Sequence, residues 1–412
     1  MKIVMGFQPG FGHWSRLGAI AEALEGRGHE VVLATSAAFA ARLGRPALPV
    51  GPDWIEDDCL AEPAGDGLAV QAGAIAERFF GGAPGVAGDL MARCARRPPD
   101  LFIFDYTLFG GPPAAHRLGV PWASVYGLSV PFRPAGWPPF GSELAPAVNA
   151  NQMARHAALN RRVDAENGEL YRPVIELWRA AGVSLPTPWQ AYRDLPRLGI
   201  VGSVAGADFP WRRPPPATIA YVGPLLPEPS ECPADPELEA FIAAGEGPLI
   251  HISLGLAFSR NLALLGLLVE TARRQPWRAV VSTGRLPPAA AGAACPRLLV
   301  RETTDHARLF PRLDAVICHG GANTLMRALA AGVPALVIPL GAEQRSNGAR
   351  FRHAGIGDRI LPSEATRETV AARLTALLAP AVRPRCRALS AEAFTAGGAG
   401  RAADLIEKLG IR

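Results

Sequence analysis

Short apolar runs alternate with helix-patterned stretches twice along this chain, once on each side of a proline-dense segment. In the first half, "KIVMGF" (2–7), "HEVVLAT" (29–35), "DLFIFDY" (100–106) and "PWASVYG" (121–127) read as strands, with helices through "SRLGAIAEALEGRG" and "GPPAAHRLG". In the second half the strands are "PLIHISLG" (248–255), "WRAVVST" (277–283), "RLLVRE" (297–302), "DAVICHG" (314–320) and "PALVIPL" (334–340). Strands that alternate with helices imply a parallel, doubly wound sheet. The stretch "FPWRRPPPATIAYVGPLLPEPSECPADPE" (209–237) reads as the link, with "IAYVG" as a short strand inside it. The expected fold is α/β, with two Rossmann-like doubly wound domains at 1–212 and 237–389 and a linker at 213–236. Ala402, Ala403, Leu405, Ile406 and Leu409 recur at helical spacing, so the end of the chain, about 390–412, is expected to pack back on the first domain as a helix.

Composition excludes several classes of function. The 412 residues carry 42 basic and 37 acidic side chains, a net charge of +5 without long runs, so neither a nucleic-acid partner nor membrane insertion is expected. Lys2 and Lys408 are the only lysines, which removes a G-x-x-x-x-G-K-[ST] phosphate loop and any mid-chain Schiff base. None of Cys59, Cys94, Cys232, Cys295, Cys318 and Cys386 forms a C-x-x-C pair, so no zinc site or disulfide framework is suggested and a cytoplasmic location fits. The opening residues read as a strand and its loop, not a signal peptide, and no apolar run reaches the roughly 18 residues of a membrane span.

The stretch "VICHGGANTLMRALAAGVPALVIP" (316–339) carries the clearest chemistry. Its strand ends in His319-Gly320-Gly321, and a helix starts near Asn323. Glycines permit close approach of backbone to a ligand, and a helix N-terminus offers free N–H groups and partial positive charge. Asn323 and Thr324 are cap-type residues that can join in. An anion, foremost a phosphate, fits; on this motif alone the alternative is an ordinary tight turn with a capped helix. In the first half, "GFGHWS" (10–15) has Ser15 at the third glycine position, and the next strand ends in Ala34-Thr35 with no acid for a ribose, a poor match to the NAD fingerprint. That loop carries His13 instead, and Asp105 ends a strand of the same sheet. A histidine oriented by a buried carboxylate is a general base; a capping His13 and a loop Asp105 are the alternative.

The chain resembles the family 1 glycosyltransferases of the GT-B fold, in particular bacterial macrolide, carotenoid and antibiotic glycosyltransferases. The resemblance spans nearly the whole length and rests on "GFGHWSRLGAIAEALEGRGHEVVLAT", "LIHISLGLAF", "CHGGANTLMRALAAGVPALVIPLGAEQRSNGARF" and "GGAGRAADLIE". It implies an N-terminal acceptor domain and a C-terminal nucleotide-sugar domain. His13 would be the catalytic base and Asp105 its partner. His319, Gly320, Gly321, Asn323 and Thr324 would form the pyrophosphate site, Ser253 and Gly255 a loop near the phosphates, and Glu343-Gln344 the pair that hydrogen-bonds sugar hydroxyls. Helix and His319 together would stabilise the departing diphosphate, so no metal or other cofactor is expected. No D-x-D motif is present, and "EDD" (56–58) reads as solvated. One in-line displacement would invert the anomeric carbon.

Two positions depart from the family pattern. The slots of a base-stacking Trp and a following Gln fall near Thr303 and His306, which leaves His306 and backbone to recognise the base. The slot of a ribose-binding Glu holds Arg327, one turn from Asn323 and therefore on the same face. A lost ribose carboxylate matters less for a sugar without a 2′-hydroxyl, so UDP- and dTDP-sugars are both expected donors. The acceptor is expected to be a small, largely apolar molecule near Phe79, Phe80, Phe132, Trp137 and Phe140 on the loops of the first domain, although packing of long loops explains each aromatic singly. Phe7, Phe102 and Phe104 read as core, and His116, His156, His251 and His353 as structural. The expected assembly is a monomer or homodimer. Other readings are a GT-B enzyme on a lipid or cell-wall acceptor, a non-catalytic partner protein, and an NAD-dependent oxidoreductase.

Overall fold

A computed structural model of the chain describes residues 1–55, 74–227, 235–256, 261–292, 295–341 and 343–410. The acidic run 56–58, Cys59 and Cys232 lie outside them. Two parallel sheets form. The first has seven strands in the order β3-β2-β1-β4-β5-β6-β7: β1 Lys2–Gly6, β2 Glu30–Thr35, β3 Ala47–Pro49, β4 Leu101–Asp105, β5 Trp122–Tyr126, β6 Leu198–Val201 and β7 Ile219–Tyr221. The second has six in the order β10-β9-β8-β11-β12-β13: β8 Leu249–Ser253, β9 Arg278–Ser282, β10 Leu298–Arg301, β11 Ala315–Cys318, β12 Ala335–Val337 and β13 Gly357–Arg359. The central strands β4, β5, β8 and β9 are buried along their whole length, as strands covered by helices on both faces must be. Phe7, Phe102 and Phe104 are fully buried, as their strand positions imply.

The strand expected inside the linker, β7, is the edge strand of the first sheet, paired in parallel with β6. The helix Gly398–Glu407 returns to the first lobe and packs on the helix Phe11–Glu25. Ile406 and Ala403 are buried there, and Arg27 pairs with Asp404 and Glu407, each at 2.8 Å. The chain thus passes between lobes twice, after β7 and before this last helix. The two passages touch: Gly398 N–H donates to the Val222 carbonyl at 2.6 Å. Gly223 (φ +84°), Gly397 (φ +88°) and Gly398 (φ +55°) make the turns there, in a backbone region that other residues rarely adopt.

The lobes are in contact. One apolar cluster contains Leu128, Val204 and Ala207 from the first lobe with Leu325, Met326 and Leu329 from the second. A buried ion pair joins Arg350 Nε to Asp208 Oδ1 at 2.6 Å, and the guanidinium lies 4.5 Å from the ring centre of Phe209 and 5.2 Å from that of Trp137.

Candidate active site

Strand order creates the site. In each sheet the order reverses beside the first strand, between β1 and β4 and between β8 and β11, and a crevice opens there at the C-terminal strand ends. His13 follows β1 in the first turn of the helix Phe11–Glu25, and Asp105 is the last residue of β4, so neighbouring strands deliver them side by side. His13 Nδ1 lies 3.0 Å from Asp105 Oδ1. Asp105 is fully buried, whereas the His13 side chain keeps 12% of its surface exposed.

The carboxylate has two further partners. Thr107 donates to Oδ1 from its backbone N–H at 3.1 Å and from its hydroxyl. Arg16 donates to Oδ2 from Nη2 at 2.6 Å and to the Gly12 carbonyl from Nη1 at 3.0 Å. Burial alone would push the Asp105 carboxyl up; the charges of His13 and Arg16 and the hydrogen bonds from His13 and Thr107 outweigh it and hold the group below the usual carboxylate range. Arg16 was not singled out in the sequence. Its signal was spacing, since it stands three residues after His13 on one helical face.

Across the gap, Ser253 ends β8 and His319 follows β11. The helix Ala322–Ala331 begins at Gly321, which has no side-chain cap. The His319 ring fills the space between two glycines. A methyl group at Gly321 would stand 2.5 Å from its Nε2, and one at Gly255 would stand 2.6 Å from its Cε1. Gly255 (φ +74°) and Gly320 (φ +91°) also need the conformation. Burial lowers the His319 imidazole to about 4, against a hydrogen bond that the ring donates to the Ser253 backbone, so at neutral pH the ring carries no charge. Thr324 is buried in the first turn and Ser253 is 7% exposed, its Oγ accepting from Gly255 N–H at 3.3 Å.

Several expected contacts take another form. Asn323 Nδ2 donates to the Gly12 carbonyl at 3.0 Å, so its side chain bridges the lobes beside the helix N-terminus. Gln344 is 4% exposed and its Oε1 accepts from Leu340 N–H at 2.7 Å and Gly341 N–H at 3.0 Å. It braces the loop before its own helix instead of lying open to a sugar. Glu343, beside it, is partly exposed and its charge acts on Arg16 from across the gap. Asn347, which was not foreseen, donates to the Gly320 carbonyl at 2.9 Å and holds the His-Gly-Gly loop.

His306 opens the helix His306–Leu309, its ring centre 5.1 Å from that of His251 and 5.0 Å from that of Phe310. His251 is structural, as expected, and hydrogen-bonds Ser282 Oγ at 3.0 Å. Burial first, then the positive charge of Arg327, lowers His306 to about 4. Arg327 is itself lowered by burial, with Asp305 opposing. It is a partly buried cation in the middle of the helix Ala322–Ala331, next to His306.

The expected acceptor aromatics divide. Phe79 lies beside His13, the two ring centres 5.7 Å apart, and lines a narrow cavity with Pro9, Ser36, Trp54 and Arg78. Phe80 instead stacks on Phe109 at 4.1 Å in the core. Phe132 packs on Trp211, and Trp137 donates from Nε1 to the Pro210 carbonyl at 3.1 Å under Arg350. Phe140 packs on Trp189. Phe80 sits in the helix Ala74–Gly81 and the other three on loops, and all four pack against other aromatic side chains. Among the described residues, no helix is long and apolar enough to cross a membrane.

The profile of the glycosyltransferase family 28 C-terminal domain matches residues 303–404, which include His306, the His-Gly-Gly loop, Arg327 and Glu343. The chain is 25% identical to 4′-demethylrebeccamycin synthase of Lentzea aerocolonigenes over 99% of each chain. In fold it is similar to the glycosyltransferase of kitacinnamycin (TM-score 0.74, 22% identity, 99% of this chain and 98% of the other). It is similar too to the glycosyltransferase VinC in complex with dTDP (TM-score 0.70, 20% identity, 99% of each). The chain is a glycosyltransferase of the GT-B fold, akin to those of antibiotic and other natural-product biosynthesis.

Proposed function

We propose that this enzyme is an inverting, metal-independent transferase that moves a hexose or deoxyhexose from a UDP- or dTDP-sugar to a small, largely apolar natural-product acceptor. It acts in the cytoplasm as a monomer or homodimer. The observation that carries the reading is the His13–Asp105 pair, 3.0 Å apart, facing the uncapped start of the helix Ala322–Ala331. Asp105 holds the Nδ1–H tautomer, which leaves Nε2 to take the acceptor's proton. The acceptor atom bonds to the anomeric carbon from the side opposite the diphosphate. The bond from that carbon to the diphosphate oxygen breaks, and the new charge lies on the leaving group. The free amides at the start of the helix Ala322–Ala331 can stabilise it without a metal. Arg327 and the dTDP held by the relative VinC favour dTDP among the two nucleotides.

The test is His13→Ala. Transfer is expected to fall by about 10²–10⁴-fold, while thermal shift with dTDP and UDP still shows nucleotide binding and reports which nucleotide raises the melting temperature more. Undiminished transfer by the variant would sink the assignment.

A further inference from the structure

Arg16 has no assigned part in the reaction, yet it is the charge closest to the base pair. Its side chain is 6% exposed, and Nη2 sits 2.6 Å from Asp105 Oδ2 and 3.4 Å from His13 Nδ1. Its other amine donates to the Gly12 carbonyl, the same oxygen that Asn323 reaches from the opposite lobe, both at 3.0 Å.

We propose that Arg16 is a positioning residue for transfer: it shares the Asp105 charge with His13, and so keeps the imidazole unprotonated, and able to act as base, to a lower pH than an unshared His–Asp pair would. The proposal rests on the reading of His13 as the base.

The groups facing His13 can be named element by element. Asp105 comes from β4 and Thr107 from the loop after it, where Tyr106 acts on Arg16. Arg16 comes from the histidine's own helix, and the Phe79 ring from the helix Ala74–Gly81. Glu343 acts through Arg16 from the second lobe. In an isolated buried pair, a proton added to the imidazole would neutralise an otherwise uncompensated carboxylate, and protonation would be strongly favoured. Here Oδ2 already has a permanent cation, so the second proton gains less. That proton would also place a positive ring against a guanidinium. The donors divide the carboxylate by geometry, Oδ1 to His13 and Thr107, Oδ2 to Arg16, and the division fixes the carboxylate plane that orients the ring. The Gly12 carbonyl, gripped from both lobes, holds the backbone next to His13 in place when the gap is closed.

The experiment is the pH profile of kcat/KM for the full chain and for Arg16→Gln, Arg16→Met and Arg16→Lys. Loss of the charge in the first two is expected to move the acid limb upward by about one pH unit. Lysine, which keeps the charge, is expected to restore the limb most of the way. NMR titration of the His13 ring reads the same shift without turnover, in whichever neutral variant folds. An acid limb and a His13 titration unchanged in the neutral variants, with activity lowered equally at every pH, would overturn the proposal and leave Arg16 a structural residue. Failure of the base reading looks different: His13→Ala would then keep its activity whatever happens at Arg16.

Discussion

At the scale of single residues, the glycines beside His319 have a more specific task than their sequence suggested. They were read as leave for a ligand to approach; in the structure Gly321 and Gly255 make room for the imidazole itself. Gly321 has φ −61°, a value open to any residue, so Gly321→Ala adds a methyl group without backbone strain. That methyl would have to displace the ring. Overpacking of this kind costs about 1–3 kcal/mol. Nucleotide affinity, measured by calorimetry, is expected to weaken by about tenfold or more, since 1.4 kcal/mol is a factor of ten. The meeting of His13 with Asp105 was legible because both stand at or beyond the C-terminal ends of neighbouring strands in a doubly wound sheet. Arg16 was passed over because arginine is the common cation of this chain and nothing in its type distinguishes it. For Phe80, Phe132, Trp137 and Phe140 the packing alternative matches the contacts seen, and the sequence could not choose it, because an aromatic that lines a cleft and one that folds inward have the same letter.

At the scale of elements, strands buried on both faces were legible as continuous apolar runs. The strands β3, β6 and β13 escaped because none stands in a longer apolar run, unlike the equally short β7 and β12, whose flanking residues extend the pattern. The helix Ala150–Glu166 was missed because only His156 and Val163 of it are buried, too few for a stripe. The last helix was legible from its spacing, and its partner can be tested. Ile406 is fully buried against the first lobe, in one apolar cluster with Leu17, Ile20 and Leu24. Ile406→Ala is expected to destabilise the protein by about 2–5 kcal/mol in chemical denaturation. The surface ion pairs of Arg27 with Asp404 and Glu407 are expected to matter far less, because exposed pairs contribute little.

At the scale of the whole molecule, three imidazoles tie stability to pH: His251, fully buried and held well below its ordinary range, and with it His306 and His319. His306 and His319 titrate at about 4 when folded, chiefly because burial disfavours their charge. An unfolded histidine titrates at about 6.5. Between these values the unfolded chain binds more protons, so stability rises with pH and declines as the solution is acidified from about 6.5 to 4. Melting temperatures across that range are expected to show the decline, and His306→Gln to reduce it. The double passage of the chain between lobes has a mechanical consequence. Both covalent threads run side by side where Gly398 meets Val222, with glycine turns on each. Two adjacent threads act as the spine of a book: they bind the lobes along one edge, and neither cover can spin against the other without straining both.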